Sequence, residues 1–204
     1  MKFFAFTSFA LLLGACASTP PVATPVVGTA TRDAHGGYQV VSNGTTYEML
    51  PTLNAPINNG TGVTLERFDT ATMKAFGASD TNVTVAAGLG NSTYFAGISG
   101  TPSATVPTSG GATYTGLFGL TRGGTNYYAG INLIADFGAN TLKGGAATGL
   151  LVDGTISGSS VTGTATFQGT DTGDLTGGFY GPAASRTVAL TILGPNIAGI
   201  VVTN

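Results

Sequence analysis

Residues able to do covalent chemistry are few in this chain, and one of them is conspicuously placed. Cys16 is the only cysteine among 204 residues, and it closes the run Leu13-Gly14-Ala15-Cys16. Upstream stand one basic residue, Lys2, and an apolar run from Phe3 to Leu13. A secretory hydrophobic region spans about 7–15 residues and ends in small residues at its cleavage site. A membrane-crossing helix needs about 20 apolar residues, more than this run supplies. The tetrad has the form of a bacterial lipobox, so residues 1–15 read as a lipoprotein signal peptide. Cys16 then becomes the N-terminus and carries the lipid, palmitate among its acyl groups. The competing reading is an ordinary signal cut near Ala15 or Ala17, which would leave an odd free thiol.

Other catalytic sets are missing. The sole histidine, His35, falls in an N-terminal tether and the sole cysteine, Cys16, reads as acylated, so neither a Ser-His-Asp nor a Cys-His site is expected. Gly97-Ile98-Ser99-Gly100 lacks the spacing of a nucleophile elbow. Zinc requires three or four Cys, His or carboxylate ligands, and none cluster. Asp171-Thr172-Gly173-Asp174 puts two carboxylates in a Gly-containing stretch, but calcium takes about six to eight oxygens, so a solvated turn is expected. Asn43, Asn59, Asn82 and Asn91 open Asn-x-Thr sequons, read as turn chemistry. Tyr127-Tyr128 is the pair of most interest. Strand alternation points Tyr127 inward and Tyr128 outward. A tyrosine phenolate ligates haem iron in some proteins, which makes Tyr128 the candidate ligand residue. The plainer reading is one core and one surface aromatic. No enzyme, metal or obligatory cofactor is expected.

Composition defines the elements that must position these residues. Charged residues make up 8% of the chain, glycines number 33 and tryptophan is absent. Heavy glycine is costly in helices, whereas Thr, Val, Ile, Tyr and Phe suit strands and Gly and Asn suit tight turns. Loss of Lys2 with the signal leaves 6 basic against 9 acidic residues, a net charge of −3. Such a chain has no footprint for nucleic acid and no basic patch for anionic lipid.

Residues 16–36 read as the lipidated cysteine and a tether, with Thr19-Pro20-Pro21 and Thr24-Pro25. At roughly 3 Å per residue such a tether spans up to about 60 Å. Residues 37–105 read as a smaller, handle-like β region. Asn43-Gly44 between Tyr38–Val41 and Thr45–Leu50 is a hairpin signal. Further strands are expected at Val63–Phe68, Met73–Phe76, Asn82–Ala87 and Thr93–Ile98, before a Pro/Ser/Thr/Gly-rich connection from Thr101 to Gly111. Residues 110–204 alternate strictly. Ala112, Tyr114, Gly116, Phe118 and Leu120 share one face, as do Val161, Gly163, Ala165 and Phe167, and Val188, Leu190 and Ile192. Period 2 means strands with one buried and one wet face. About eight strands at 8–12-residue spacing, with glycine on the inward face, point to a closed antiparallel barrel. The fold class is therefore all-β, an eight-stranded barrel behind a smaller β region. An outward face of Thr, Asn and Gln argues against a membrane-spanning barrel.

Leu175-Thr176-Gly177-Gly178-Phe179-Tyr180-Gly181-Pro182-Ala183-Ala184 resembles the penultimate part of the barrel in transferrin-binding-protein-B-like surface lipoproteins. Those barrels carry a Gly-x-Phe-Tyr-Gly-Pro-x-Ala motif. Ala112–Gly116 is similar to the family's opening barrel strand, and Asp136–Gly144 to its Asp-Phe-x-x-x-x-Leu-x-Gly hairpin. Ile156–Phe167 is similar to the Gly-rich hairpin that follows. The resemblance spans about Gly110 to Asn204. Where the family often continues with Glu and a Gly pair, Ser185-Arg186-Thr187 stands here. It implies a lipid-anchored binding protein of the outer membrane, facing periplasm or cell surface, whose partner is a protein or haem. A structural envelope lipoprotein without a dedicated ligand is the alternative. Within the motif Gly178, Phe179, Tyr180, Gly181 and Pro182 are expected to be structural, with Phe179 and Tyr180 on opposite faces. Ala17 after the cysteine, where Asp would favour the inner membrane, points by the same resemblance to the outer membrane.

Overall fold

The computed structural model describes residues 25–50, 54–58, 60–182 and 186–204. Cys16 and the signal segment lie outside these residues. Sixteen strands and their turns account for the described fold, with no helix among them.

The first eight strands form one curled sheet. They are β1 (Val26–Arg32), β2 (Tyr38–Ser42), β3 (Thr45–Met49), β4 (Asn54–Asn58), β5 (Thr64–Asp69), β6 (Met73–Ser79), β7 (Val83–Gly90) and β8 (Thr93–Gly100), in the order β3-β2-β1-β8-β7-β6-β5-β4. All neighbours are antiparallel except β1 and β8, which pair in parallel from Val26↔Phe95. Asn43 (φ 48°) and Gly44 (φ 77°) make the β2–β3 turn. Both residues left-handed is the hairpin turn whose twist matches the flanking strands. The β2–β3 hairpin folds back over one face of the sheet. Tyr47 stacks on Phe95 at 4.4 Å, and Tyr38 meets Phe68 edge-on at 5.8 Å. These rings centre a core of their own, with Met49, Val40 and Ala75.

The last eight strands close into an antiparallel barrel. They are β9 (Gly111–Arg122), β10 (Thr125–Asp136), β11 (Thr141–Gly145), β12 (Leu150–Ser157), β13 (Ser160–Phe167), β14 (Asp171–Tyr180), β15 (Thr187–Leu193) and β16 (Ile197–Thr203), which returns to β9. An eight-stranded barrel is just wide enough for side chains to fill. Here aromatic rings meet at both ends: Tyr127 and Phe167 lie 5.1 Å apart at one, and Phe179 touches Tyr114 and Phe137 at 5.8 Å each at the other. Leu120, Ile131, Leu133 and Leu190 occupy the space between. The alternation read from sequence is the observed one, with Phe118, Val161, Ala165, Phe167, Val188, Leu190 and Ile192 all inside.

The free face of the sheet packs on the barrel's outer wall at β9, β15 and β16. Leu65, Phe76, Val85, Ala87 and Ala96 meet Leu117, Leu193, Ala198, Ile200 and Val202 in one continuous cluster. Close approach is possible because Gly119 has no Cβ: one placed there would overlap the Phe76 ring.

Three expectations need correcting. The tether does not run to Gly36, because Val26–Arg32 is β1, inserted between β8 and β2. Val26 and Val27 find their partners at Phe95 and Ala96, too distant in sequence for local periodicity to show. The N-terminal region holds eight strands, the six expected together with β1 and β4, and Pro56 of β4 is tolerated because β4 is an edge. Finally, β15 and β16 have no wet face and are buried at every position, since the sheet covers their outer side.

The seam predicts a sharp response to one added carbon. Gly119→Ala is expected to destabilise the protein by about 1–3 kcal/mol, as overpacking does. Gly138→Ala is the control, since its Cβ meets only the Asp136 carboxylate at 3.4 Å. Urea midpoints compare the two, and equal midpoints would show a loose seam.

Candidate functional site

The motif at the end of β14 acts as a lock between sheet and barrel. Phe179 points into the barrel core, while Tyr180 turns outward onto Val83 and Ala189. Opposite directions follow from strand alternation. The connection after β8 is stitched along this segment. Ser103 donates its N–H to the Phe179 carbonyl at 2.9 Å and its hydroxyl to the Gly181 carbonyl at 2.6 Å. Gly181 N–H returns to the Thr101 carbonyl at 3.3 Å, and Pro102 bridges Tyr180. Gly181 is left-handed (φ 80°) against the Asn82 side chain. Gly178 lies so close to the Ser159 carbonyl that a Cβ would overlap it. Pro182 follows β14 and ends its ladder, having no N–H to donate. Each motif residue thus has a structural task. Ala183 and Ala184 lie outside the described residues.

Tyr127 and Tyr128 diverge as expected. Tyr127 packs on the barrel core beside Phe167. Tyr128 is 43% exposed on the outer wall, with Phe76 at 6.3 Å and the Arg67 guanidinium 5.8 Å from its ring centre. Cation–π contact of this kind is worth about 0.5–1 kcal/mol at an exposed site. The structure therefore gives Tyr128 a free phenol edge beside a fixed cation, and does not bring it to the 178–182 motif.

The remaining sequence candidates separate. Asp171 pairs with Arg122 at 2.5 Å across the β13–β14 turn, and no group of three His, Cys, Asp or Glu side chains converges among the described residues. His35 sits in the β1–β2 connection, its backbone N–H donated to Asp33 at 2.8 Å. The Gly37 N–H, then that of His35, hold the Asp33 carboxyl below its ordinary value.

Electrostatics add two residues that sequence reasoning missed as sites. Of the six described basic residues, Arg32, Lys74, Arg122 and Lys143 each face a carboxylate. Arg67 and Arg186 do not, and each has a buried Nε with no acceptor. Nothing in the local sequence signals this, since pairing depends on strands far apart in the chain.

No family model matches the chain, and no curated protein does. Solved structures do. It is similar to a transferrin-binding protein B variant from Haemophilus parasuis, at 14% identity and a TM-score of 0.48, over 81% of this chain and 40% of that one. The chain thus spans well under half of that protein's length. It is similar to the haemoglobin receptor HpuA from Kingella denitrificans, solved in its apo form, at 14% identity and a TM-score of 0.47, over 89% of this chain and 94% of that one. The N-lobe of lactoferrin-binding protein B from Moraxella bovis matches at 14% identity and a TM-score of 0.43, over 87% and 97% of the two chains.

Burial of phenols predicts an alkaline limit. Desolvation pushes Tyr38, Tyr94 and Tyr180 above the ordinary phenol value, the Gly123 N–H on the Tyr94 oxygen partly opposing it. A raised folded pKa means this stability is intact below about pH 10, the unfolded value, and is lost as pH rises toward the folded one. Of the 7 tyrosines, these three are expected to ionise late and together with loss of circular dichroism. Free titration of all phenols with the fold intact would refute the assignment.

Proposed function

We propose that this chain is a non-enzymatic binding module, held at the outer membrane by lipid on Cys16, that captures an iron source or a host or envelope protein. One observation carries the reading. Residues 175–182 of the segment that resembles the transferrin-binding-protein-B-like lipoproteins lie where they lock a handle-like sheet onto a filled barrel, downstream of a lipobox. The barrel interior is occupied by side chains, so capture uses outer surfaces. The sheet covers β9, β15 and β16, which leaves the β10–β14 wall and the connecting turns for a partner.

That wall also supports the second reading, a structural envelope lipoprotein. Thr141, Thr155, Thr162 and Thr176 stand opposite one another in register across four strands. Beside this hydroxyl row lies one exposed ion pair, Lys143–Asp153 at 3.3 Å. A hydroxylated, nearly uncharged wall suits solvation as well as contact. In the haem version of the capture reading, Tyr128 supplies the phenolate ligand, with Arg67 beside it.

Two measurements test these readings. Cys16→Ser is expected to abolish palmitate labelling and move the protein from the membrane to the soluble fraction; unchanged fractionation would remove the lipid anchor. The mature Cys16→Ser chain is then titrated with haemin. A saturable absorption shift lost in Tyr128→Phe supports haem capture. Absence of a shift removes that version, and a pull-down from envelope extracts and serum-like medium that recovers nothing would favour the structural reading. The soluble chain must include β1, so it cannot begin at residue 37.

A further inference from the structure

Arg186 stands just before β15 with none of the partners that other cations here possess. Among the described residues no carboxylate lies within ion-pair distance and no ring lies beneath it, and its Nε is buried without an acceptor although the residue as a whole is half-buried. A guanidinium keeps five N–H donors and its charge throughout the range where proteins fold. A buried N–H without an acceptor is costly, so an acceptor entering beside Arg186 would be favoured.

The surroundings supply room for one. Arg186 lines a cleft of about 710 Å³ with Asp80, Asn82, Thr113, Tyr114 and Thr187. Small-ligand sites commonly measure about 300–1,000 Å³. Five separate parts of the chain build the walls: the β6–β7 turn, the start of β9, the approach to β15, Gly62 and Asn204. Asp80 is already committed. Its Oδ1 accepts the N–H groups of Asn82 at 2.6 Å and Val83 at 2.9 Å, and its Oδ2 accepts the Thr187 hydroxyl at 2.7 Å. Asp80 therefore holds the turn and leaves the Arg186 fork vacant.

We propose that this cleft binds a small oxyanion, a carboxylate or phosphate group, gripped by Arg186. The planar fork of arginine matches two oxygens of such a group and forms charge-assisted hydrogen bonds. The Thr113 hydroxyl and Asn82 amide add neutral donor capacity from two other walls. Asp80 keeps the local field from becoming strongly positive, which favours one anionic group over a polyanion. The proposal does not rest on the capture reading, and its failure would leave that reading untouched.

The test follows the Arg186 Nε–H resonance of the mature Cys16→Ser chain by nitrogen-15 NMR, during titration with succinate and, separately, inorganic phosphate. A saturable shift with either anion, and calorimetric affinity lowered about 10- to 100-fold in Arg186→Gln, are expected from loss of a charge-assisted contact. Which probe binds separates carboxylate from phosphate. Arg67→Gln removes the other unpaired cation and is expected to leave the binding unchanged. Absence of any shift into tens of millimolar anion overturns the proposal, as does equal affinity in Arg186→Gln. A shift of the same resonance in ligand-free Asp80→Asn, with no response to either anion, also overturns it by showing an internal Arg186–Asp80 pair.

Discussion

Everything in this molecule depends on the contact between the sheet and the outer wall of β9, β15 and β16. Leu65, Phe76 and Val85 from one side and Leu117, Ile200 and Val202 from the other exclude water jointly. Burying a large apolar side chain stabilises by about 1.5–3 kcal/mol, so a handful of such residues is comparable with the whole net stability of a domain. Separating the two parts would expose the outer faces of the fully buried strands β15 and β16 to water. The single cysteine cannot form an intrachain disulfide, so packing and hydrogen bonds hold the seam. The polar fastenings lie at its margins. Thr187 reaches Asp80, Gly123 N–H reaches the Tyr94 hydroxyl at 2.8 Å, and Thr121 reaches the Lys74 carbonyl at 3.1 Å.

This constraint explains why the Gly178–Pro182 segment is so particular. It must end a barrel strand, send one aromatic into each of two cores, and accept a connecting segment alongside. Phe179, Tyr180 and the carbonyls that receive Ser103 do these things in consecutive residues. A motif can therefore identify a fold while saying little about ligand, because function resides in sites carried by folds.

Legibility in the sequence followed the range of the forces involved. Hairpins were legible, because Asn43-Gly44 and the alternation of Val161 to Phe167 report on neighbours a few residues away. β1 was not, since its partners Phe95 and Ala96 lie about seventy residues along the chain. Pro25 and Thr24 made it look like more tether. Pro56 hid β4 by the usual rule for interior strands, which edge strands escape. Burial of both faces of β15 and β16 was not legible either, because the sheet that covers them comes from strands about a hundred residues earlier in the chain. Of the candidate site residues, the directions of Tyr127, Tyr128, Phe179 and Tyr180 could be read from parity alone. The missing acceptor at Arg186 could not, because it arises from where segments far apart in the chain converge.

The position of β1 also changes how the module stands on its anchor. Val26 pairs with Phe95 near the start of β8, and β1 runs parallel to it. That start lies by the β9–β10 turn, where Tyr94 takes the Gly123 N–H. Pro25 and Val27 border the same barrel end through Gly173, Gly194 and Pro195. Arg186 precedes β15, which runs from Asp80's turn to Gly194, so its cleft is at the other end. With lipid on Cys16, fewer than a dozen residues link anchor to sheet, a reach of about 30 Å fully extended rather than the about 60 Å of the longer tether. Under the proposed lipid anchor, the end near Pro25 would be the one nearest the bilayer. The cleft of Arg186 and the 178–182 lock lie at the opposite end of the barrel.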